Sequence, residues 1–375
     1  MKHDWEYRDF EKCLEKVVYT PKLQSSNYQE NGKYPIVSQE DCLISGYWDK
    51  EDDVFRLVKP IVVFGDHTRI LKYIDFDFVL GADGVKILQP TDDIKAKFLY
   101  YYLKWYDVPS LGYSRHYKLL KECIVPIPPT HVQEQICSLL DKMNRVIEAK
   151  KEQLKELDNL AQAIFYDMFG DPVTNEKGWS VKSMKVVAPA VEYKGEHPQI
   201  DGKFWLLNLD KVEAQTGNIL SVDYYEYDEI GNSVVSFDSS NVLYSKLRPY
   251  LNKVVVPTEI GFATSELVPL QPVITLLERQ YLAYMLRSKQ FVDFINSKVS
   301  GAKMPRVDMT VFRNFTVPIP PLPLQQAFAE KVEAIERQKE LINQSLREVQ
   351  TLFDSRMDYW FSEEDDDFGQ LDKLD

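Results

Sequence analysis

The sequence of 375 residues is too long for one hydrophobic core and long enough for two or three domains. Apolar residues make up 44% of it and aromatic residues 13%, which is typical of a globular protein and excludes a disordered one. The net charge of −13 argues at first against nucleic-acid binding. No apolar run approaches the about 18 residues that a membrane span needs, and the first residues lack the pattern of a signal peptide, so we expect none. We therefore expect a cytoplasmic protein.

Acidic and basic residues are unevenly distributed along the chain. The stretch from Glu363 to Asp375 holds seven acidic residues and one lysine, so this tail alone carries −6 of the net charge. Three other windows contain lysine or arginine but no acidic residue, namely 111–121, 241–257 and 296–306. Local charge is therefore a better guide to a DNA-binding surface than net charge.

The first part of the chain, residues 1–124, has the pattern of an α/β domain. Residues 59–64 are apolar and predict a strand that ends in the polar turn 65–69. Residues 76–88, interrupted by two glycines, predict a β-hairpin. Residues 94–106 predict a helix with an aromatic face.

A proline motif then introduces a long heptad pattern, and the chain does this twice. Val-Pro-Ile-Pro-Pro occupies residues 125–129 and recurs 192 positions later at 317–321. A proline-fixed extended segment cannot continue a helix, so each motif marks the entry to one. The heptads run over residues 136–168 and 328–360, with inward positions spaced alternately by 4 and 3. This is the seam of a coiled coil, and 33 residues of helix would be about 50 Å long.

The seam positions predict an antiparallel helix pair within one chain, with Ile136 near Trp360. In the first heptad they are Ile136, Leu140, Met143, Ile147, Lys150, Leu154, Leu157, Ala161, Ile164 and Met168. In the second they are Phe328, Val332, Ile335, Lys339, Ile342, Leu346, Val349, Phe353, Arg356 and Trp360. A lone lysine at a seam position fixes the register at a cost in stability. The alternative is that Lys150 and Lys339 reach past the seam to solvent.

Residues 171–316 repeat the plan of the first domain. Residues 241–244 predict a strand that runs into the turn 245–250, and residues 281–287 echo the helix at 98–104. The two halves agree best at the proline motif and helix and diverge in the domains. The sequence predicts an α+β fold, with two α/β domains joined by two long antiparallel coiled-coil helices in a pseudo-twofold arrangement. Its predicted parts are 1–124, 125–170, 171–316, 317–362 and an acidic tail, 363–375.

A search for catalytic residues finds no convincing constellation. The chain lacks a Gly-x-Gly-x-x-Gly turn, a phosphate-binding loop and a methyltransferase Asn-Pro-Pro-Tyr loop. Asp171 with the Glu-x-Lys at 192–194 suggests a nuclease, but the same pattern occurs by chance at 148–150 in a predicted helix. Asp66-His67 lacks a third ligand and is typical of a polar turn. The four cysteines have no ligand spacing, so we expect free thiols, no metal site and no cofactor on this chain.

The basic windows predict a DNA-binding surface, because they lie at turns and contain tyrosines. Arginine can bind guanine edges, lysine contacts phosphate, and tyrosine packs on sugar or base. Arg115 and Arg306 lie 11 and 12 residues before Pro126 and Pro318, so we expect them to be the most base-proximal. The alternative is that both arginines pair with acidic residues nearby. The candidate DNA-binding residues are Arg69, Lys72, Arg115, His116, Lys118, Lys246, Arg248, Tyr250, Lys253, Lys303 and Arg306.

These features together resemble the specificity subunit of type I restriction-modification systems over nearly the full chain. The duplicated proline motif is followed each time by a glutamine, at Gln133 and Gln135 and at Gln325 and Gln326. The segments 64–69, 81–85 and 115–120 resemble one class of target recognition domain, and 246–251, 265–266 and 300–306 resemble another. The acidic tail departs from the family pattern.

The resemblance implies a non-catalytic subunit that reads a split double-stranded DNA target, with one half read by each recognition domain. It implies two modification (methyltransferase) subunits as partners, which carry S-adenosylmethionine, and restriction subunits that use ATP and Mg²⁺. No membrane is implied. The alternative from another class is a coiled-coil adaptor or scaffold with protein-binding domains, which the acidic net charge favours slightly.

Overall fold

The computed structural model describes residues 4–82, 84–112, 114–231, 233–300 and 304–362. Two units make up the chain. Unit 1 consists of Met1–Ala149 and Ser345–Asp375, and unit 2 consists of Lys150–Gln344. The acidic tail at 363–375 lies outside the described residues. The boundary between the units cuts both predicted coiled-coil helices, and the five-part division of the sequence stays a prediction.

Unit 1 begins with a domain of short strands and two helices, and continues into the first part of a long helix whose remainder belongs to unit 2. Its elements are β1 (Glu6–Asp9), β2 (Tyr34–Val37), β3 (Gly46–Trp48), β4 (Val54–Phe55), β5 (Ile61–Gly65), β6 (Leu71–Ile74), β7 (Phe78–Leu80), β8 (Val85–Leu88), α1 (Ala96–Tyr106), α2 (Tyr117–Leu120), β9 (Ile124–Ile127) and α3 (Thr130–Phe169). The strands form a four-stranded sheet in the order β3-β2-β7-β4, a three-stranded sheet β6-β5-β8, and the pair β1-β9.

The predicted hairpin over residues 76–88 is wrong. Its two halves are the strands β7 and β8, but β7 pairs with β2 and β4, whereas β8 pairs with β5. Strand β5 is buried at every position and lies in the middle of its sheet, so it pairs on both edges. The glycines between β7 and β8 therefore carry the chain from one sheet to the other.

Unit 2 repeats this strand order and ends within a second long helix, whose last part belongs to unit 1. Its elements are β10 (Ser180–Ser183), α4 (Met184–Val187), β11 (Phe204–Leu207), β12 (Tyr224–Tyr225), α5 (Tyr227–Ile230), β13 (Val234–Phe237), β14 (Val242–Ser245), β15 (Val254–Val255), β16 (Gly261–Thr264), β17 (Leu267–Leu270), α6 (Arg279–Arg287), α7 (Lys289–Asn296), β18 (Val299–Ser300), β19 (Arg306–Val307), α8 (Met309–Asn314), β20 (Thr316–Ile319) and α9 (Leu322–Phe361). The sheets are β12-β11-β16-β13, β15-β14-β17, β10-β20 and β18-β19. The two domains thus share a topology, as the repeated plan of their sequences predicted, although their sequences diverge.

The proline motifs are strands at matching positions in the two units. Strand β9 pairs antiparallel with β1, which places Pro126 opposite Tyr7. Strand β20 pairs antiparallel with β10, which places Pro318 opposite Val181. Each motif lies in a two-stranded sheet, where a residue without an N–H group is tolerated. In each unit, the strand that leads into a long helix therefore pairs with the first strand of the domain before it.

The long helices pack antiparallel, as predicted. In unit 1, Ile136 and Leu140 of α3 share a core with Phe353 and Phe361 of α9. In unit 2 the opposite ends of the two helices meet, because the rings of Phe165 and Phe328 lie 5.7 Å apart. None of the described helices is long and apolar enough to cross a membrane.

The predicted seam is wrong at the carboxyl end of each helix. Arg356 and Trp360 are only partly buried, whereas Met357 and Phe361 are buried. A matching shift in α3 buries Phe165 and Phe169 rather than Ile164 and Met168. At these ends each long helix also packs against a domain helix. The ring centroid of Phe361 in α9 lies 5.6 Å from that of Phe98 in α1, and the ring centroid of Phe165 in α3 lies 5.6 Å from that of Tyr281 in α6. The last buried positions of each helix are therefore separated by two successive steps of four, as on a straight helix, instead of by the alternating steps of three and four of a heptad.

The strands before the candidate binding turns are fixed on both faces. Val62 and Phe64 of β5 belong to the core that includes α1, while Ile61 and Val63 face a second apolar cluster. In unit 2, the neighbouring residues of β14 are divided between two clusters in the same way. The turns that follow β5 and β14 are therefore held by rigid strands.

Candidate nucleic-acid interface

Asp66 and His116 join two of the predicted basic segments of unit 1. Both residues are buried, with 3% and 1% of their surface exposed. The backbone N–H and the ring Nδ1 of His116 lie 2.8 and 3.0 Å from the carbonyl oxygen of Asp66. The N–H of Tyr117 donates to Asp66 Oδ1 at 2.8 Å. The turn after β5 and the segment before α2 are therefore one surface.

The bonds of the His116 ring also define its tautomer. A carbonyl oxygen can only accept, so Nδ1 carries the proton in its contact with Asp66. The backbone N–H of Leu111 donates to Nε2 at 2.9 Å, so Nε2 is an acceptor. His116 thus links Leu111 to the turn after β5.

This surface presents Arg115 and Lys118 to solvent. Both side chains are exposed, and neither has a hydrogen-bond or ion-pair partner in the part of the chain that the structure describes. Arg69 is half-buried at φ 63°, and its Nη1 donates to the carbonyl of Val108 at 2.8 Å. Lys86 lies alongside, with its Nζ 5.2 Å from the ring centre of Tyr117. Sequence reasoning missed Lys86, whose only signal was a charged residue alternating with apolar ones in β8.

Lys72 lies beneath the surface. It is 5% exposed, and its ammonium donates to the carbonyl oxygens of Ser38 and Cys42. Burial lowers the pKa of this group from its ordinary value. Lys72 and His116 therefore support the candidate surface instead of presenting groups on it.

The backbone of unit 2 joins the corresponding segments in the same way. The N–H of Lys246 donates to Glu266 O at 3.0 Å, and the N–H of Val307 donates to Lys246 O at 2.9 Å. In unit 1, the N–H of Asp66 donates to Gly84 O at 2.7 Å, and the N–H of His116 donates to Asp66 O at 2.8 Å. Val307 therefore corresponds to His116, and the residues before them, Arg306 and Arg115, occupy equivalent positions.

The turn after β14 carries further candidate residues. Arg248 is exposed at φ 49°, and its N–H donates to Pro305 O at 2.8 Å. Tyr250 is 48% exposed and Lys246 is half-buried. Lys253 points back into the domain, where its Nζ donates to Leu209 O at 2.8 Å and burial lowers its pKa. Lys303 lies outside the described residues.

The two equivalent arginines differ in one contact. Arg306 Nη2 donates to Glu266 Oε1 at 2.6 Å, so the alternative of pairing with a nearby acid holds for Arg306. Arg115 has no such partner among the described residues. Over the described ranges, no group of three or more histidine, cysteine, aspartate or glutamate side chains has the arrangement of a metal site.

Buried glutamines attach each domain to its long helix. Gln133 is 0% exposed; its Oε1 accepts from Lys95 N at 2.8 Å, and its Nε2 donates to Asp93 O at 2.8 Å and Pro128 O at 2.9 Å. The same three bonds recur at Gln325 with the backbone of Glu278, Leu276 and Pro320. Each glutamine thus links the start of α1 or α6 to the proline motif. The sequence showed a glutamine after each proline motif, but it did not predict the hydrogen bonds that these glutamines make.

Comparison with known proteins agrees with the duplicated architecture. A family model described as the type I restriction modification DNA specificity domain matches residues 3–159 and 240–351. The chain belongs to this family. The matched segments include the turns and strands that carry Arg69, Arg115, Arg248 and Arg306.

Relatives in this family are distant in sequence. The specificity subunit of the type I restriction enzyme EcoR124I/EcoR124II from Escherichia coli is 21% identical over 359 residues, which cover 88% of this chain and 86% of that protein. The EcoDI specificity subunit from Escherichia coli is 26% identical over 151 residues, which cover 38% of this chain and only 33% of that protein. The crystal structure of a type I restriction-modification S subunit from M. genitalium has the same fold, with a TM-score of 0.55, 14% identity and coverage of 94% and 95% of the two chains.

Proposed function

We propose that the chain is the sequence-reading subunit of a type I restriction-modification complex. In this proposal each domain reads one half of a split double-stranded DNA target. The observation that carries it is the equivalence of Arg115 and Arg306 on two domains of one topology, within a chain that belongs to the DNA specificity family. Family membership favours this function over the adaptor alternative.

Both long helices are longer than one turn of duplex DNA. Each has 40 residues and is therefore about 60 Å long. One turn of duplex DNA is about 34 Å, so such a helix spans more than the distance between major grooves on one face. In the proposed function α3 and α9 set the length of the unread gap.

Catalysis belongs to partner subunits in this proposal. The chain would bring two modification subunits, with S-adenosylmethionine, to the target, and restriction subunits that use ATP and Mg²⁺ would join them. The supporting observation is the absence of a methyltransferase or nucleotide-binding motif from the sequence. The chain itself would hold the DNA and determine which adenines are methylated.

The function is tested by producing the chain with its modification partners and sequencing methylated adenines in the host DNA. We expect one split motif, with two fixed halves and a constant gap. Binding to that motif should weaken steeply between about 50 and 200 mM salt, because phosphate contacts release counterions. An unsplit motif, or binding that salt leaves unchanged, would exclude this function and favour an apolar protein-binding surface.

Replacing Arg115 with alanine should relax one base position in one half of the motif, at a cost of about 1–3 kcal/mol in binding free energy. The physical reason is the loss of a guanidinium that can donate two hydrogen bonds to a guanine edge. Lys118→Ala is the matched control, because Lys118 is exposed on helix α2, which begins two residues after Arg115. It should weaken binding to all sequences alike and flatten the salt dependence, because an ammonium on phosphate carries no sequence information. Unchanged base preference in Arg115→Ala would place the reading surface elsewhere.

A further inference from the structure

Glu266 and Arg306 form an ion pair in which the carboxylate is more buried than the guanidinium. Glu266 lies between β16 and β17, and its Oε1 accepts from Arg306 Nη2 at 2.6 Å. The Glu266 side chain is 21% exposed and that of Arg306 is 55% exposed. Glu266 Oε2 is buried and has no hydrogen-bond partner among the described residues. The carboxylate therefore depends on Arg306, whereas the guanidinium still has N–H groups to offer.

The backbone fixes where the two side chains begin. Lys246 lies between them, since its N–H donates to Glu266 O and its carbonyl accepts from Val307 N. Leu247 and Arg306 form a further β-bridge. The carboxylate and the arginine therefore start from neighbouring positions on one hydrogen-bonded framework, and their contact does not depend on a loose loop.

The equivalent place in unit 1 has no carboxylate. The carbonyl that corresponds to that of Glu266 belongs to Gly84, which has no side chain. Arg115 is exposed there without an ion-pair partner among the described residues. One domain therefore presents a supported arginine and the other an unsupported one.

The charge of the pair argues against a phosphate contact. The opposite charges of Glu266 and Arg306 cancel, so the pair adds little to the attraction of the surface for phosphates. A guanine edge is a different partner, because it is uncharged and offers two acceptors that match the planar fork of arginine. Contact with Glu266 fixes the fork before DNA arrives, so less side-chain freedom is lost on binding. The arrangement suits base recognition.

We propose that Glu266 is a positioning residue that orients Arg306 to read a guanine in the half-site bound by unit 2. The inference rests on the proposed function and adds a residue that determines specificity. Glu266 itself does not touch DNA in this arrangement. Arg115 reads its half-site without such support.

The test measures binding of the full chain to its methylation-defined target and to targets that carry each single base change in one half-site. Wild-type protein should discriminate against replacement of one guanine by about tenfold or more. Glu266→Ala should lose most of this discrimination, and Glu266→Gln part of it. Both should bind unrelated DNA as tightly as wild type or tighter, with a steeper salt dependence, because a negative charge has been removed.

Two further variants separate positioning from charge and from folding. Glu259→Gln removes an exposed carboxylate from the same unit and should leave base discrimination unchanged. Arg306→Lys keeps the positive charge but lacks the planar fork, so it should lose discrimination as Glu266→Ala does. Each variant is compared with wild type by thermal unfolding.

The outcomes are distinct. Full discrimination in Glu266→Ala or Arg306→Lys overturns the inference and leaves the proposed function intact. Equal loss of specific and unspecific binding in Glu266→Ala, with lowered thermal stability, shows a general structural role and also overturns it. A wild-type protein without discrimination at any position overturns the proposed function itself.

Discussion

Replacement of Phe328 by alanine is expected to lower the free energy of unfolding of unit 2 by about 3–5 kcal/mol. The ring is fully buried, at 0% exposure, where α9 meets α3 and α6. Its centroid lies 5.7 Å from that of Phe165, 5.3 Å from that of Phe169 and 5.3 Å from that of Tyr284. The smaller side chain would leave a cavity and remove these ring contacts, which stabilise the fold beyond the area that they bury.

The effect of Phe328→Ala is measured by hydrogen exchange of backbone amides under native conditions, which resolves unit 2 from unit 1. The control is Leu341→Ala, which lies on the same helix with 67% of its surface exposed. We expect that variant to change the free energy of unfolding by less than about 0.5 kcal/mol. Similar losses in both variants would contradict the placement of the helix seam.

Both long helices were predictable because their signal is local and repeated. An apolar position that recurs every three or four residues over 33 residues is typical of a long helix with one buried face, and the prolines mark the entry. The observed helices begin at Thr130 and Leu322, directly after the prolines, and so extend beyond the heptads. The heptad failed at Phe165 and Phe361 because the partner there is the domain, whose position the sequence does not reveal.

Strand existence was also more predictable than strand pairing. The strand over 59–64 was found as β5, because a run of apolar residues before a polar turn is a local pattern. The hairpin over 76–88 was wrong because pairing depends on residues far along the chain, such as Ile36 opposite Val79. Periodicity carries no information about which edge a strand joins.

The sequence identified equivalent segments in the two domains, but it could not separate their exposed side chains from their buried ones. Spacing from the proline motifs found the equivalence of Arg115 and Arg306, because both arginines precede a strand of fixed position. Burial of Lys72 was not predictable, since its acceptor on Ser38 lies 34 residues away. A lysine that donates to buried carbonyls and one that faces solvent look the same in a sequence.

Asp158→Ala is expected to lower the free energy of unfolding of unit 2 by about 3 kcal/mol, because it removes the main partner of a buried lysine. Lys339 lies at a predicted seam position and is 5% exposed, which excludes the alternative that it reaches past the seam. Its Nζ lies 2.8 Å from Asp158 Oδ1 and 3.1 Å from Glu336 Oε1. Asp158 comes from α3 and Lys339 from α9, so the pair joins the two helices.

The double variant Asp158→Ala with Lys339→Met tests the physical reason for this loss. If the cost arises from an uncompensated buried charge, replacing that charge by an apolar side chain of similar length should recover most of the stability. Chemical denaturation of the wild type, both single variants and the double variant gives the coupling energy. A double variant as unstable as Asp158→Ala would show that lost packing, not charge, is the cause.

The ion pair also predicts how stability depends on pH. Burial alone disfavours the charged ammonium, but the hydrogen bond and charges of Asp158 and Glu336 outweigh it, so the pKa of Lys339 is raised from its ordinary value. A raised pKa in the folded state means that the contribution is fully present below the ordinary lysine pKa of about 10.4 and is lost as the pH rises through the higher folded value. The stability difference between wild type and Lys339→Met should therefore be constant from about pH 7 to 9 and shift in favour of the variant above about pH 10.5. A difference that stays constant through this alkaline range would show that Lys339 gains no stabilisation from its charge.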